Sequence, residues 1–471
     1  MERRDFLKYS AGSLAALVVG SEMPWLMESN AYAAFQTPTL NFTITDAMKE
    51  MVTHNPFNDA RCYFWIYKSN TPNLLPECPG PTIFTTEGDI VTITLTNNLD
   101  EPHSLYIPGI FSSGPIAPLA TKTFRFRALR AGTYLYYDNL NAPVNRVMGL
   151  HGCMIVMPRA THPGHKFTPY AAPSPAVQKL FDDFGTSAHF PGLSWEQGDP
   201  ATDTPAFRQY VWLCHQASPI LFAEVGNFTA GLDYPAAQFA NLFNNDPYVD
   251  TFNTGIMNRK PHFFTISGQS GHFAHNNPFL CPNNRVGEPV IIRVLNAGLQ
   301  AHSMHIHANH VFTTSINGVV QENPLWVDTM TLYPLDVWDW TVPYIRPPDI
   351  PNIRGIGKAD TPLTSITNPG IPGSVPHPVW PPTEELNTFL PPVGTLSGGL
   401  TGIDISCQLS PMCYPMHDHS EHSQGAQGGN YNCGLISGIN FTGDRNTAGG
   451  VTTFPNVPTV HGPDGTGPAA G

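Results

Sequence analysis

The chain reads as an all-β protein built of two tandem β-sandwich domains. Composition is the first observation: only 13% of residues are charged, while 48 prolines and 41 glycines punctuate the sequence. That mixture suits many short strands and ordered loops better than helices. The second is period-two alternation of apolar and polar residues in several segments, which marks half-buried strands. The third is an internal echo, in which the same turn and strand landmarks occur twice in the same order.

The first domain is expected over residues 35–160. Ile90-Val-Thr-Ile-Thr-Leu-Thr96 alternates strictly and stops at the Asn97-Asn98 turn, and Thr123-Phe-Arg-Phe-Arg127 alternates again. Gly132-Thr-Tyr-Leu-Tyr-Tyr137 leads through a loop to Gly149-Leu-His-Gly-Cys-Met-Ile-Val156, the closing strand. Residues 161–205 are rich in Pro, His and Ala and predict a linker with one short helix. The second domain, 206–445, opens at Gln209-Tyr-Val-Trp-Leu213 and resumes at His262-Phe-Phe-Thr-Ile-Ser267 and Pro289-Val-Ile-Ile-Arg-Val-Leu295. It closes at Gly434-Leu-Ile-Ser-Gly-Ile-Asn-Phe441.

A Pro-rich insertion, 346–396, interrupts the second domain and is long for a connection, so it predicts a lid or a partner-binding excursion. Residues 446–471 are rich in Gly, Thr and Pro and predict a loosely ordered tail. The echo pairs Glu87-Gly88-Asp89 and Asn97 with Gly287-Glu288-Pro289 and Asn296, and Gly149-Leu150 with Gly434-Leu435. One sandwich topology used twice is the simplest account.

With 471 residues the chain has ample room for a core in each domain. Its formal net charge of −13 argues against nucleic acid or an anionic membrane as partner. Arg3-Arg4-Asp5-Phe6-Leu7-Lys8 resembles the twin-arginine export motif. The apolar run at 11–20 that follows is short for a membrane span, and Ala31-Tyr32-Ala33 offers a cleavage site. Residues 1–34 therefore predict a signal peptide and a periplasmic or secreted protein without stable membrane insertion. Eight cysteines suit an oxidising destination, with Cys62–Cys78 and Cys407–Cys433 as candidate disulfides. No CxxC occurs.

Two histidine clusters carry the chemistry: His302-Ser-Met-His305-Ile-His307 and Met416-His417-Asp418-His419-Ser-Glu-His422. Residues two apart on a strand point the same way, so His305 pairs with His307 and His417 with His419. If the two strands are neighbours, four imidazoles converge, a donor set for copper or zinc rather than magnesium or calcium. The bland alternative is four histidines with ordinary hydrogen bonds. Ligating imidazoles need an acceptor on the other ring nitrogen, and Asp328 and Asp418 are candidates.

On these residues the chain resembles the multicopper oxidase superfamily of tandem cupredoxins, over about residues 78–158 and 262–441. Gly80-Pro81-Thr82-Ile83, Glu87-Gly88-Asp89, Asn97-Asn98-Leu99-Asp100-Glu101-Pro102 and Ala131-Gly132-Thr133-Tyr134 look like the family's first-domain framework. The segment 302–307 looks like its HPxHxH ligand motif, and Pro415-Met416-His417-Asp418-His419 like its HCH motif. The resemblance implies two cupredoxin-like Greek-key β-sandwich domains. The layout is similar to two-domain laccases and copper nitrite reductases, which implies a homotrimer.

It also implies roles. His305, His307, His417 and His419 would face a type 2/type 3 copper cluster at an interface, and His302 and His422 a type 1 copper inside the second domain. Departures qualify this. Asp418 stands where the family has the type 1 cysteine, and a blue centre needs that thiolate. Tyr106-Ile-Pro108 and Tyr137-Asp138-Asn139 replace the first domain's His-x-His pairs. His103 lies an odd step from Tyr106 and faces away from it. His422 is one residue nearer His419 than usual, with no axial methionine after it.

His302, Asp418 and His422 are therefore expected to hold a colourless copper or zinc, or to form a plain Asp–His hydrogen bond. Met412, Cys413 and Met416 add soft sulfur nearby. The implied protein is an exported, non-blue, copper-binding oxidoreductase acting on a small-molecule or metal-ion substrate. Copper sequestration or delivery, and a metal-free scaffold, are the alternatives.

Overall fold

The computed structural model describes residues 38–51, 60–71, 77–159, 164–183, 207–247, 258–275, 277, 280–285, 290–307, 310–342, 412–425 and 433–443. The export segment, the Pro-rich insertion 346–396, the tail 446–471 and Cys407 lie outside the described residues. No helix among the described residues is long and apolar enough to cross a membrane.

The first domain contains β1 (Thr39–Met51), β2 (Ala60–Ser69), β3 (Ile83–Thr86), β4 (Ile90–Asn97), β5 (Tyr106–Ile107), β6 (Phe111–Ser112), β7 (Thr121–Arg127), β8 (Gly132–Tyr137) and β9 (His151–Met157). They form two sheets, β2-β1-β4-β7 and β3-β9-β8-β5-β6. The alternation read in β4 is literal: Val91, Ile93 and Leu95 are buried, and the threonines between them are not. β9 is instead buried along its whole length, because the second domain and the 164–183 segment cover its outer face.

The second domain contains β10 (Arg208–Ala217), β11 (Phe263–Ile266), β12 (Asn283–Arg285), β13 (Val290–Asn296), β14 (His302–Ile306) and β15 (Val311–Ile316). It continues with β16 (Val319–Val327), β17 (Thr329–Leu332), β18 (Val337–Val342), β19 (Met412–Asp418) and β20 (Ile436–Gly443). Its sheets run β11-β10-β13-β18-β15-β16 and β12-β20-β19-β14-β17.

The two domains repeat one topology. β1 pairs parallel with β4 as β10 does with β13, and β3 pairs parallel with β9 as β12 does with β20. The echoed asparagines do the same work in each. Asn97 Nδ2 donates to the carbonyls of Glu101 (2.7 Å) and Ile116 (3.1 Å), while its Oδ1 accepts from Leu99 N (3.0 Å). Asn296 Nδ2 donates to Gln300 (2.8 Å) and Leu332 (3.2 Å), and its Oδ1 accepts from Gly298 N (2.9 Å). A buried amide that closes its own turn leaves no orphaned backbone group at the strand end. The fold is all-β, as expected, and consists of two tandem cupredoxin-like sandwiches.

The segment expected as a linker does carry one helix, Pro175–Asp183. Its described part, 164–183, is a packed layer. Phe167, Tyr170, Val177 and Phe181 share a core with Leu135, Ile155 and Met157 of the first domain and Leu213, Ile291 and Leu295 of the second. Among the helices not foreseen, the longer ones are Pro219–Gly226 and Ala236–Asn245. The first has Ser218 at its N-cap, accepting from Leu221 N, with Pro219 in the first turn. It lies on β2, with Phe222 edge-on to Phe64 at 5.5 Å. A Cβ at Gly226 would stand 2.4 Å from the Tyr63 ring, so only glycine permits that approach.

A buried polar clamp joins the domains. Arg293 and Asp339 are almost fully buried and meet at 3.1 Å. Asp339 also accepts from Thr133 Oγ1 (2.6 Å) on β8 and Tyr170 OH (2.9 Å), and Arg293 donates to Gln209 Oε1 (2.6 Å). The candidate Cys62–Cys78 disulfide is not formed, since both are free, buried thiols. The reason is orientation: Cys78 Sγ faces His151 Nε2 (3.8 Å), and Cys62 Sγ faces the Tyr63 carbonyl (3.8 Å).

Candidate metal centre

β14 and β19 are antiparallel neighbours, as the histidine pattern requires. Their register sets Met304 opposite Asp418, His305 opposite His417 and Ile306 opposite Met416. Burial alternates along β14, with His302, Met304 and Ile306 inside and Ser303 and His305 towards the outer face. One register therefore sorts the predicted residues into two sets: His302 and Asp418 turn inward, and the His-x-His pairs turn outward.

On the outer face, His305, His307 and His417 each bring a ligand-capable nitrogen within 4.8 Å of the others. His307 Nε2 and His417 Nε2 stand 2.9 Å apart. The His419 ring lies beside them, with its centroid 5.1 Å from that of His305 and 5.7 Å from that of His417. Three of the four predicted imidazoles thus converge, and His419 sits exposed at the rim.

The rings are oriented by their other nitrogens. His305 Nδ1 donates to the Asp328 carbonyl (2.9 Å) and lies 2.7 Å from Thr329 Oγ1, while His417 Nδ1 donates to the Asp418 carbonyl (2.9 Å). Both predicted aspartates act here, but mainly through backbone oxygen. The Asp328 carboxylate is 3.9 Å away. Burial holds the His305 pKa below the ordinary 6.5, and neighbouring His417 and His419 add to this against the pull of Asp328. His307 is lowered by burial and by His305, His417 and His419. Both rings are neutral near pH 7, the form that ligates.

This geometry fits an ion. Two nitrogens each about 2.0–2.1 Å from one metal and at right angles to each other stand about 2.9 Å apart. An all-imidazole donor set suits copper or zinc.

The inward pocket is different. His302 Nδ1 meets Asp418 Oδ2 at 2.5 Å, and His302 Nε2 meets the side-chain amide of Gln216. Asp418 also accepts from the Ser303 amide (2.7 Å), the Ser420 amide (3.0 Å) and the Ser423 hydroxyl. Burial pushes the Asp418 pKa up, but the His302 bond and charge, with Ser423 and Ser420, outweigh it and hold the carboxyl below its usual range. His422 packs edge-on to Phe264 at 5.3 Å. Among the described residues, His302, Asp418 and His422 do not form a metal-binding group. Gln216 and Ser423, which complete this pocket, were missed in the sequence because they come from distant or loop positions with no motif.

The first domain repeats the inner pair without the outer cluster. Tyr106 pairs with Tyr137 across β5 and β8, the register of His305 and His417, with ring centroids 5.5 Å apart. His103 Nδ1 meets Asp138 Oδ2 at 2.7 Å, as His302 meets Asp418, and Ser104 Oγ donates to Asp138 Oδ1 at 2.6 Å. Aligning His103-Ser104 with His302-Ser303 and Tyr137-Asp138 with His417-Asp418 carries this signal in the sequence.

The fold and site define a tandem cupredoxin-like protein whose outer histidine cluster lies in its second domain. Residues 73–161 match the family model described as multicopper oxidase. An L-ascorbate oxidase of Cucumis sativus is 38% identical over 96 residues, which covers 17% of this chain and 16% of that enzyme. Similar solved structures include a blue copper oxidase from Nitrosomonas europaea, at 15% identity, TM-score 0.48 and 86% coverage of each chain. A copper nitrite reductase from Nitrosomonas europaea has 14% identity, TM-score 0.45 and coverage of 86% of this chain and 94% of that one. Residues 73–161 thus carry a multicopper oxidase family domain, where the first-domain framework motifs predict it. The family-model match falls on the domain that carries the Tyr106–Tyr137 pair.

Proposed function

We propose that this chain is an exported, non-blue copper protein whose working site is His305, His307 and His417, with His419 at the rim. The observation that carries this reading is the 2.9 Å approach of His307 Nε2 and His417 Nε2, with His305 in the same cluster. Imidazole-bound copper with open positions supplies inner-sphere binding and polarisation of a small substrate. The chain's own contribution is orientation. Asp328 and Thr329 fix the His305 ring, the Asp418 carbonyl fixes the His417 ring, and burial keeps His305 and His307 unprotonated. His302 and Asp418 brace the β14–β19 pair from inside rather than holding an ion.

The substrate class is a small oxidisable or reducible molecule or a metal ion. Ascorbate, named for the cucumber relative, is the first to assay. The twin-arginine-like segment supports export to the periplasm or beyond. The trimer implied by the resemblance would place the cluster at a subunit interface, and the mass of the particle in solution tests it.

Reconstitution with Cu(II), followed by metal analysis, optical and EPR spectra, tests the site. The expected result is a copper signal without an intense blue band, lost on His305→Ala or His417→Ala. Protein that holds no copper above background overturns the proposal.

A second reading is copper sequestration or delivery. It is favoured by the exposure of His307 and His419, which leaves a bound ion open to exchange. Copper uptake and transfer to a chelator, without turnover of any substrate, would select it.

A further inference from the structure

A second group of donors lies deep between the domains. Cys78, His151 and His215 are all buried, and one ligand-capable atom from each lies within 4.8 Å of the other two. They come from three segments: the loop before β3, the first residue of β9, and β10 of the second domain. Cys78 Sγ is 3.8 Å from His151 Nε2, and the rings of His151 and His215 are 4.5 Å apart.

Their second nitrogens are already committed. His151 Nδ1 donates to the Arg146 carbonyl (2.8 Å) and His215 Nε2 to the Val147 carbonyl (2.7 Å). Both acceptors belong to the single helical turn Val144–Val147. Such a bond through one ring nitrogen is what orients a ligating histidine and leaves the other nitrogen for the metal.

Distance agrees as well. Bonds of about 2.3 Å to sulfur and 2.0–2.1 Å to nitrogen place the two donors about 3.5–3.8 Å apart for angles between tetrahedral and trigonal. The observed separation of 3.8 Å lies at the trigonal end. Gly149 makes room: a Cβ there would meet the Trp65 carbonyl at 2.4 Å and Cys78 Sγ at 3.3 Å.

We propose that Cys78, His151 and His215 bind one Cu(I) ion that cross-links the first domain to β10 of the second. A thiolate with two imidazoles is a soft donor set, and three donors suit Cu(I) better than structural zinc, which is nearly always four-coordinate. Burial pushes the Cys78 thiol up to about 12 and lowers His151 to about 4, and burial also takes His215 well below the ordinary range. Without metal the three donor side chains are uncharged at neutral pH, with Lys49 and Arg146 the nearby cations. Ligation then ionises the thiol and releases its proton.

The test uses the full chain carrying His305→Ala and His417→Ala, so that the outer cluster is silent. Protein refolded anaerobically with Cu(I), or in parallel with Zn(II), is challenged with a competing chelator. One retained Cu(I) per chain is expected, with an X-ray absorption spectrum of one sulfur and two nitrogen neighbours and a raised melting temperature. Adding Cys78→Ser, or the bulk-preserving His151→Gln should serine not fold, is expected to remove the ion. Retention of copper in both of these variants overturns the proposal. So does uptake of zinc alone, absence of a sulfur neighbour, or a Cys62–Cys78 disulfide in the native protein.

Discussion

Asp418 and His302 meet through Oδ2 and Nδ1 at 2.5 Å inside the second sandwich. The carboxylate stands where the superfamily resemblance places a copper-binding thiolate, and it satisfies the imidazole that would otherwise face the metal. Removing it leaves His302 Nδ1, Ser303 N and Ser420 N without their acceptor. Breaking such a buried pair costs about 3–5 kcal/mol. Asp418→Ala is therefore expected to lower stability by that order in denaturant titration, and Asp418→Asn by less.

The same pair makes a gain-of-function prediction. His302 Nδ1 already points at position 418, and Gln216 already holds the opposite nitrogen. Asp418→Cys supplies the missing thiolate. With Cu(II) it is expected to show an intense thiolate charge-transfer band above the spectrum of the natural protein. A colourless variant that still binds copper would show that the pocket is too closed for an ion.

At the outer cluster, each nitrogen has a separable role. His305→Ala is expected to abolish tight copper binding in calorimetric titration. Thr329→Val, which removes only the hydroxyl 2.7 Å from His305 Nδ1, is expected to weaken it about 10–100-fold. His305 and His307 titrate below the ordinary 6.5. Proton competition with copper should accordingly set in at more acid pH than for unperturbed imidazoles.

His103 gives a pH dependence of folding. Burial lowers its pKa, but hydrogen bonds and charges of Asp138 and Glu101 outweigh this and raise it above 6.5. The folded state then holds a proton that the unfolded chain has released. Its stabilisation is fully present below pH 6.5 and is lost as pH rises through the folded value. Melting temperature should fall over that window in the natural protein and change less in His103→Gln. Asp138, Glu101, Asn145 and the Trp65 ring are the groups facing it.

Asp339 joins Arg293, Thr133 and Tyr170 across the domain boundary. Asp339→Ala strands a fully buried guanidinium and is expected to cost about 3–5 kcal/mol. Arg293→Met together with Asp339→Leu should recover much of that loss, because replacing both charges removes the desolvation penalty. Chemical denaturation of the three variants measures both effects.

Much of the fold was legible. Period two located β4 and β7, each with one face in a core, whereas β13 is apolar on both faces and buried throughout; the repeated Asn97 and Asn296 turns announced the duplication. The helices at Pro219–Gly226 and Ala236–Asn245 escaped notice because they are short and take their stability from packing, the first on β2 and the second on the first through Phe239 and Phe222, rather than from propensity. The segment 164–183 looked like a tether because its aromatics are scattered among prolines. Only the two flanking sheets turn them into a core.

The sequence by itself determined which histidines could share a face, since side-chain direction on a strand follows from residue spacing alone. It also determined that position 418 lacks a thiolate. Tertiary structure decided what meets across distance: that β14 lies against β19 in the register that unites His305 with His417, and that Gln216 closes the pocket behind His302. It also brought Cys78, His151 and His215, from three remote segments, around one point. Spacing constrains neighbours along a chain, whereas sheet order and domain docking set contacts between segments, and no local pattern encodes those.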